Sequence, residues 1–224
     1  MENKPILTKL LNDIQNGTEI EDIIEYTKDF ENLMAYYWCA MQEVETKFRV
    51  LDKQLSLGGK RNPIESIKSR LKSLRSIQEK LHRRGVGNTC EEIEATLNDI
   101  AGVRIICGYV DDIYMLTDCF INQDDVIPVE IKDYIKNPKP NGYRSLHLIV
   151  EIPIFLLNEK RPVRVEIQLR TIAMESWANL EHGIRYKKEM SQETKNMIAD
   201  KLNYCAELSR MLDEQMQVIR DIVE

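Results

Sequence analysis

Residues 163–170 read VRVEIQLR. Successive side chains of a strand alternate in direction, so Val163, Val165, Ile167 and Leu169 fall on one side and Arg164, Glu166, Gln168 and Arg170 on the other. The stretch is predicted as a strand with one face in a core and one polar face. Such a polar face is either wetted by solvent or lines a cleft. In a cleft, a carboxylate flanked at two-residue steps by an amide and a guanidinium suits a metal ion or a proton together with an anion. Outward from it, β-rich stretches at 100–110, 126–135, 143–151 and 161–170 alternate with helical patterns at 73–84, 91–98, 112–121 and 172–188. Residues 64–72 suit an edge strand as well as a helix. The pattern is that of an α/β (α+β) core.

Long apolar stripes flank this core. Between Phe30 and Leu55 apolar residues recur at steps of three and four up to Gly58-Gly59, and Ile198, Leu202, Cys205, Leu208, Leu212, Met216 and Ile219 trace a second stripe. Both are expected to be packing helices, the second for core or subunit contact. With no internal repeat or linker, residues 1–224 read as a single domain: N-terminal helices at 1–59, a core at 60–188 and a C-terminal helix at 189–224.

A chain of 224 residues and 26.2 kDa can bury a substantial core without disulfides or metals. Its 43% hydrophobic and 30% charged residues exclude a disordered, collagen-like or membrane-spanning chain. The 37 acidic residues outnumber the 31 basic ones, and a net charge of -6 speaks against a general nucleic-acid binder. The charge is segregated, however. Residues 60–84 hold nine lysines and arginines against Glu65 and Glu79, so this segment carries +7 and the remainder -13. That is either a solvated basic helix face or a local anion site.

Five widely spaced cysteines, Cys39, Cys90, Cys107, Cys119 and Cys205, contain no C-x-x-C and are expected to be reduced, mostly buried thiols. The opening MENKPILTKLLNDIQNG lacks the apolar stretch of a secretory signal, and the longest apolar run, 152–157, is too short for a bilayer. A cytoplasmic protein without a membrane partner is expected.

Two further stretches carry candidate chemistry. In DIAGVRI, simple alternation puts Asp99 and Arg104 on opposite faces, unless Gly102 marks a bulge that brings them together. The alternative is an Asp cap and a surface Arg. In NPKPNGYRSLHLIV, a turn sets Tyr143 at the mouth of a loop with Lys136, Lys139 and Arg144. A ring there either stacks on a nucleobase, worth about 1–3 kcal/mol, or packs on the turn. Alternation expects Tyr143, Ser145 and His147 on one face. The chain has no glycine-rich phosphate loop and no H-E-x-x-H, and only His82, His147 and His182 as histidines, so a nucleotide has to be held by side chains.

Five motifs in order, SRLKS (69–73) with RRG (83–85), DIAGVRI (99–105), GYRSLH (142–147), EIQLRT (166–171) and Trp177-x-x-x-Glu181-His182, resemble the synthetase domain of the RelA/SpoT family. The short length, and LDEQM near the C-terminus, resemble its small alarmone synthetases. The resemblance implies a mixed β-sheet core of the nucleotidyltransferase-like type between N- and C-terminal helices. It implies a pyrophosphokinase of the stringent response, which moves the β,γ-pyrophosphate of ATP to the 3′-hydroxyl of GDP or GTP with Mg2+. By the same resemblance, Arg70 and Arg104 sandwich the adenine. Lys72, Ser76, Lys80 and Arg84 contact the rest of the ATP, and Asp99 and Glu166 hold the metal and carry catalysis. Tyr143 stacks on guanine, with Lys139, Arg144, His147, Gln168 and Glu181 around the acceptor.

A homotetramer, no stable nucleic-acid partner and no hydrolase activity are also implied. The alternatives are a toxic-type synthetase acting on adenine nucleotides or tRNA, and a non-catalytic nucleotide- or RNA-binding module. In some small synthetases an Asn after the EIQ strand helps to bind the product as an activator. Glu175 stands there in this chain, and a carboxylate repelling a polyphosphate leads to the expectation of weak product activation.

Overall fold

The computed structural model describes residues 20–57, 61–185 and 191–223. In chain order the elements are α1 (Ile20–Leu55), β1 (Ile64–Leu71), α2 (Leu74–Arg84), α3 (Cys90–Thr96), β2 (Ala101–Cys107), α4 (Val110–Ile121), β3 (Ile127–Asp133), β4 (Leu146–Phe155), β5 (Lys160–Thr171), α5 (Ile172–Arg185) and α6 (Gln192–Val223). The helix end expected at Gly58-Gly59 and the last residues of the 172–188 pattern lie outside the described residues. The ambiguous 64–72 stretch is an edge strand.

VRVEIQLR lies in β5, the middle strand of a five-stranded sheet ordered β1-β2-β5-β4-β3. β5 runs parallel to β2 and antiparallel to β4, so the sheet is mixed. Its alternation is realised: Val163, Val165, Ile167 and Leu169 are buried in the main core with Ala101, Val103 and Ile105 of β2. α1 lies across this face of β1, β2, β4 and β5, with α4 beside it on β2 and β5. The helix contributes Leu33, Tyr37, Met41, Val44, Phe48 and Leu51 to the core, the spacing of one helical stripe. The opposite face, which carries Glu166 and Gln168, is left for polar side chains.

Phe48 of α1 and Phe120 of α4 are both fully buried, and their rings stack with centroids 4.6 Å apart. Truncating such a ring loses its transfer free energy and leaves a cavity, at a cost of about 3–5 kcal/mol. Phe48→Ala is expected to lower the urea unfolding free energy by that amount; a loss under about 1 kcal/mol would show that this junction carries little of the stability.

α2 opens on Ser73, whose side chain accepts from the Ser76 amide, and closes on Gly85 at φ 66°, a left-handed conformation that glycine adopts without strain. A Thr89–Glu92 capping box starts α3. No helix among the described residues is long and apolar enough to cross a membrane.

α6 corrects the expected packing. Leu202 and Ala206 meet Trp177 of α5, but the rest of the docked side is polar: Asp213 bonds Arg144, and Gln217 and Arg220 bond Asp111. The apolar stripe of Leu208, Leu212, Met216 and Ile219 points outward with Tyr204 and Met211, each roughly half exposed. Core contact within the chain is thereby excluded for these residues. The cysteine expectation is corrected in part: all five are free, but only Cys107 is buried, while Cys119 and Cys205 lie on the outer sides of α4 and α6.

Candidate active site

Strand register assembles the site. On the polar face Arg70, Gly102 and Glu166 are paired in one row across β1, β2 and β5, and Lys68, Arg104, Gln168 and His147 in the next, which extends to β4. Neighbouring strands lie about 4.8 Å apart, so four side chains from four separate stretches of sequence become adjacent. Lys68, Arg70, Asp99, Gly102, Arg104, Glu166 and Gln168 line one cavity of about 230 Å³.

Asp99 and Arg104 thus share a site, but not through a bulge at Gly102. β2 keeps continuous register with both neighbours there, and a Cβ on Gly102 would meet only the Arg70 carbonyl, at an ordinary 3.8 Å. Asp99 lies in irregular chain before β2, where alternation no longer dictates direction. The glycine keeps the cavity floor low.

At one end of the cavity, the Lys72 amide extends the β1–β2 pairing by donating to the Ile100 carbonyl at 2.8 Å, which sets Lys72 beside Asp99. The Lys72 and Lys80 ammonium groups both donate to Asp99 Oδ2, Lys80 at 2.7 Å. Burial opposes ionisation of Asp99, yet the two lysines outweigh it and hold the carboxyl below its usual value. Asp99 Oδ1 is buried without a hydrogen-bond partner. A carboxylate with one orphaned oxygen, on a residue that lines the same cavity as Glu166, fits a divalent cation. Mg2+ typically takes only one or two carboxylates and completes its shell with water and substrate phosphates. That agrees with the lack, among the described residues, of any cluster of three or more acidic, histidine or cysteine ligands.

At the other end, Glu166 Oε2 accepts from Gln168 Nε2 at 3.0 Å, and Oε1 lies 3.6 Å from His147 Nδ1. Burial pushes its pKa up, but His147 and Gln168 prevail and it stays below the ordinary carboxylate value. His147 Nε2 in turn pairs with the Tyr143 hydroxyl at 2.7 Å. The Lys139 ammonium lies over two rings, 4.4 Å from the Tyr134 centroid and 4.8 Å from that of Tyr143. Tyr134 also meets His147 edge-on.

Other expected site residues lie elsewhere. Ser76 sits at the α2 cap, its hydroxyl 3.0 Å from that of Ser73, and Arg84 reaches the Thr96 carbonyl at the end of α3. Arg144 is buried and donates to Asp213 of α6 at 2.9 Å, so its charge is already matched away from the cavity. Glu181 is buried and accepts from Asn141 at 3.2 Å, bracing the loop against α5. Ser145, expected on the face of Tyr143 and His147, is fully buried and donates to the Leu169 carbonyl at 3.0 Å, because β4 begins only at Leu146.

Glu175 is not a free carboxylate. It is buried and paired with Arg104, Arg170 and Lys68, so the repulsion behind the expectation of weak product activation has lost its basis. Sequence reasoning missed Lys68, Tyr134 and Arg170 as neighbours of the site. Lys68 and Arg170 were traceable, as the residues two steps from Arg70 and Gln168 on the same strand faces.

The chain matches the family model described as the region found in RelA / SpoT proteins over residues 69–191. It is 42% identical over 207 residues to the GTP pyrophosphokinase YwaC of Bacillus subtilis, covering 92% of this chain and 98% of that protein. The crystal structure of small alarmone synthetase 1 from Bacillus subtilis bound to its product pppGpp superposes with a TM-score of 0.78 at 35% identity, over 88% of this chain and 98% of that one. The same enzyme bound to AMPCPP gives 0.70 at 31% identity, with the same coverage. With the motifs, the mixed sheet and these full-length similarities in agreement, the chain belongs to the RelA/SpoT family and shares the fold of its small alarmone synthetases.

Proposed function

We propose that the protein is a cytoplasmic GTP pyrophosphokinase that transfers the β,γ-pyrophosphate of ATP to the 3′-hydroxyl of GDP or GTP, giving AMP and ppGpp or pppGpp. The observation that carries this reading is the convergence of Asp99 and Glu166 with Arg70 and Arg104 on one cavity, beside two lysines that already neutralise a carboxylate. Phosphoryl-type transfer asks a protein mainly for in-line positioning and fixed charge, which this set of residues provides.

Arg70 and Arg104 present planar guanidinium groups to the adenine. Lys72 and Lys80 turn from Asp99 to the ATP phosphates. Asp99 and Glu166 would hold Mg2+, which would supply positive charge to neutralise the phosphate oxygens. Tyr143 stacks on guanine, and Lys139 leaves the ring face for the acceptor's phosphates. Glu166 takes the proton of the 3′-hydroxyl as its oxygen bonds the β-phosphorus. The bond from that phosphorus to the α–β bridging oxygen breaks, and AMP departs with that oxygen.

Incubation with Mg2+, ATP and, separately, GDP, GTP, GMP, adenine nucleotides or tRNA, followed by separation of the products, tests this. Release of AMP with a pyrophosphorylated guanine nucleotide is expected. No AMP with any acceptor would sink the enzyme reading, and pyrophosphorylated adenine nucleotide or tRNA would reassign the acceptor.

The outward stripe on α6 supports a homo-oligomer, because a helix that docks through its polar side and exposes its apolar side lacks a partner in the single chain. Light scattering is expected to give a multiple of 26.2 kDa. Leu212→Asp combined with Met216→Asp is expected to reduce that mass, and an unchanged mass would place the contact elsewhere.

A further inference from the structure

At the end of the polar face, where α5 follows β5, stands a charged cluster that the chemistry above leaves unused. Glu175 Oε1 accepts from Arg104 at 3.1 Å, Lys68 at 3.4 Å and Asn179 at 3.2 Å, and Oε2 accepts from Arg170 at 2.8 Å. Arg170 is buried in turn. Its second branch donates to the Tyr143 hydroxyl at 2.6 Å and to Gln168 Oε1 at 2.8 Å. A continuous set of hydrogen bonds therefore runs from Arg104 in the wall of the donor cavity to Tyr143 on the acceptor side. Glu175 and Arg170 are its two central members.

We infer that Glu175 and Arg170 are positioning residues forming a strut that couples the two nucleotide subsites, an inference that rests on the pyrophosphokinase reading. Glu175 touches neither nucleotide in that reading. It holds Arg104 against the donor and presents Arg170 to the ring that receives the acceptor. Without its carboxylate, the buried Arg170, the half-buried Arg104 and the exposed Lys68 ammonium would crowd together with no anion between them, and Arg104 and Arg170 would separate. The Nε atoms of both arginines are buried without partners, so each already has one unmet donor before Glu175 is lost. A donor base resting on Arg104 orders Glu175 and, through it, Arg170 and Tyr143. The acceptor then binds to a site whose ordering is complete, which gives positive coupling. By linkage the acceptor strengthens donor binding by the same factor.

The test is calorimetric titration of the full chain with GDP in Mg2+, with and without a saturating non-hydrolysable ATP analogue. The wild type is expected to bind GDP at least about fivefold more tightly with the analogue present, the lower end of ordinary coupling. In Glu175→Gln that factor is expected to fall below about twofold while both ligands still bind, with a lowered thermal midpoint beside it. Arg170→Lys, which retains the charge and loses the two-branched grip, is expected to do the same, and it decides the matter where Glu175→Gln does not fold. A purely structural role would lower the midpoint and leave the factor alone. A wild-type protein that makes ppGpp but shows no coupling, or an unchanged factor in the variants, overturns the strut alone. A wild type that binds neither nucleotide overturns the pyrophosphokinase reading and the strut with it.

Discussion

Glu166→Gln is expected to lower turnover by about 10²–10⁴-fold, the range that a positioned general base contributes, while changing the affinity for an ATP analogue in EDTA less than about threefold. The substitution keeps size and one hydrogen bond to Gln168, and removes the capacity to accept the proton of the 3′-hydroxyl. His147 and Gln168 hold the wild-type carboxyl below the ordinary value of 4.5 despite its burial. A carboxylate with a lowered pKa stays ionised above that value and loses its charge only as the pH falls through the lowered pKa. The wild-type rate is therefore expected to show no inflection from Glu166 above pH 4.5. Single-turnover kinetics of both proteins from pH 5 to 8 check this; a variant within tenfold of the wild type would remove Glu166 from the proton transfer.

The second large effect is expected at Asp99. Its carboxylate faces in two directions, with Oδ2 taken by Lys72 and Lys80 and Oδ1 orphaned. Asp99→Asn removes the anionic metal ligand and is expected to reduce turnover by about 10³-fold, a usual loss when one centre of transition-state charge stabilisation is deleted. It also releases two lysines from the charge they neutralise. In EDTA, ATP is therefore expected to bind Asp99→Asn about tenfold more tightly than the wild type, because the lysines no longer have to be drawn off a carboxylate, and tenfold corresponds to about 1.4 kcal/mol. Equilibrium dialysis in EDTA beside rate measurements in Mg2+ checks both parts. Weaker ATP binding would mean that Asp99 organises the lysines rather than competing for them. Loss of this half-buried cluster is also expected to cost stability, so the thermal midpoint belongs in the same experiment.

Much of the site was legible in one dimension because strand alternation is a local rule. VRVEIQLR declared which of its side chains face the core, and every apolar member is buried where alternation placed it. The basic segment read as either a solvated helix face or a local anion site, and Arg70, Lys72 and Lys80 stand at or beside the cavity. Arg144 and Glu175 were illegible for a single reason. A charged side chain reads alike in sequence whether it meets a ligand or another residue, and its partner lies 69 positions away for Arg144 and 71 away in the Arg104–Glu175 pair.

The residue types and periods alone determined that this chain alternates strands and helices in an α/β core, and that VRVEIQLR is a strand with one apolar and one polar face. Local sterics and the hydrophobic effect decide those matters within a few residues. Only the tertiary structure decided which side chains meet. Register across β1, β2, β5 and β4 placed Arg70 level with Glu166 and Arg104 level with Gln168 and His147, Asp99 came in from irregular chain, and α5 brought Glu175 down onto three cations. Those meetings depend on long-range contacts, for which a single sequence carries no periodic signal. For the same reason the stripe on α6 could not be divided between core and subunit contact until the body of the protein was found to hold that helix by its polar side.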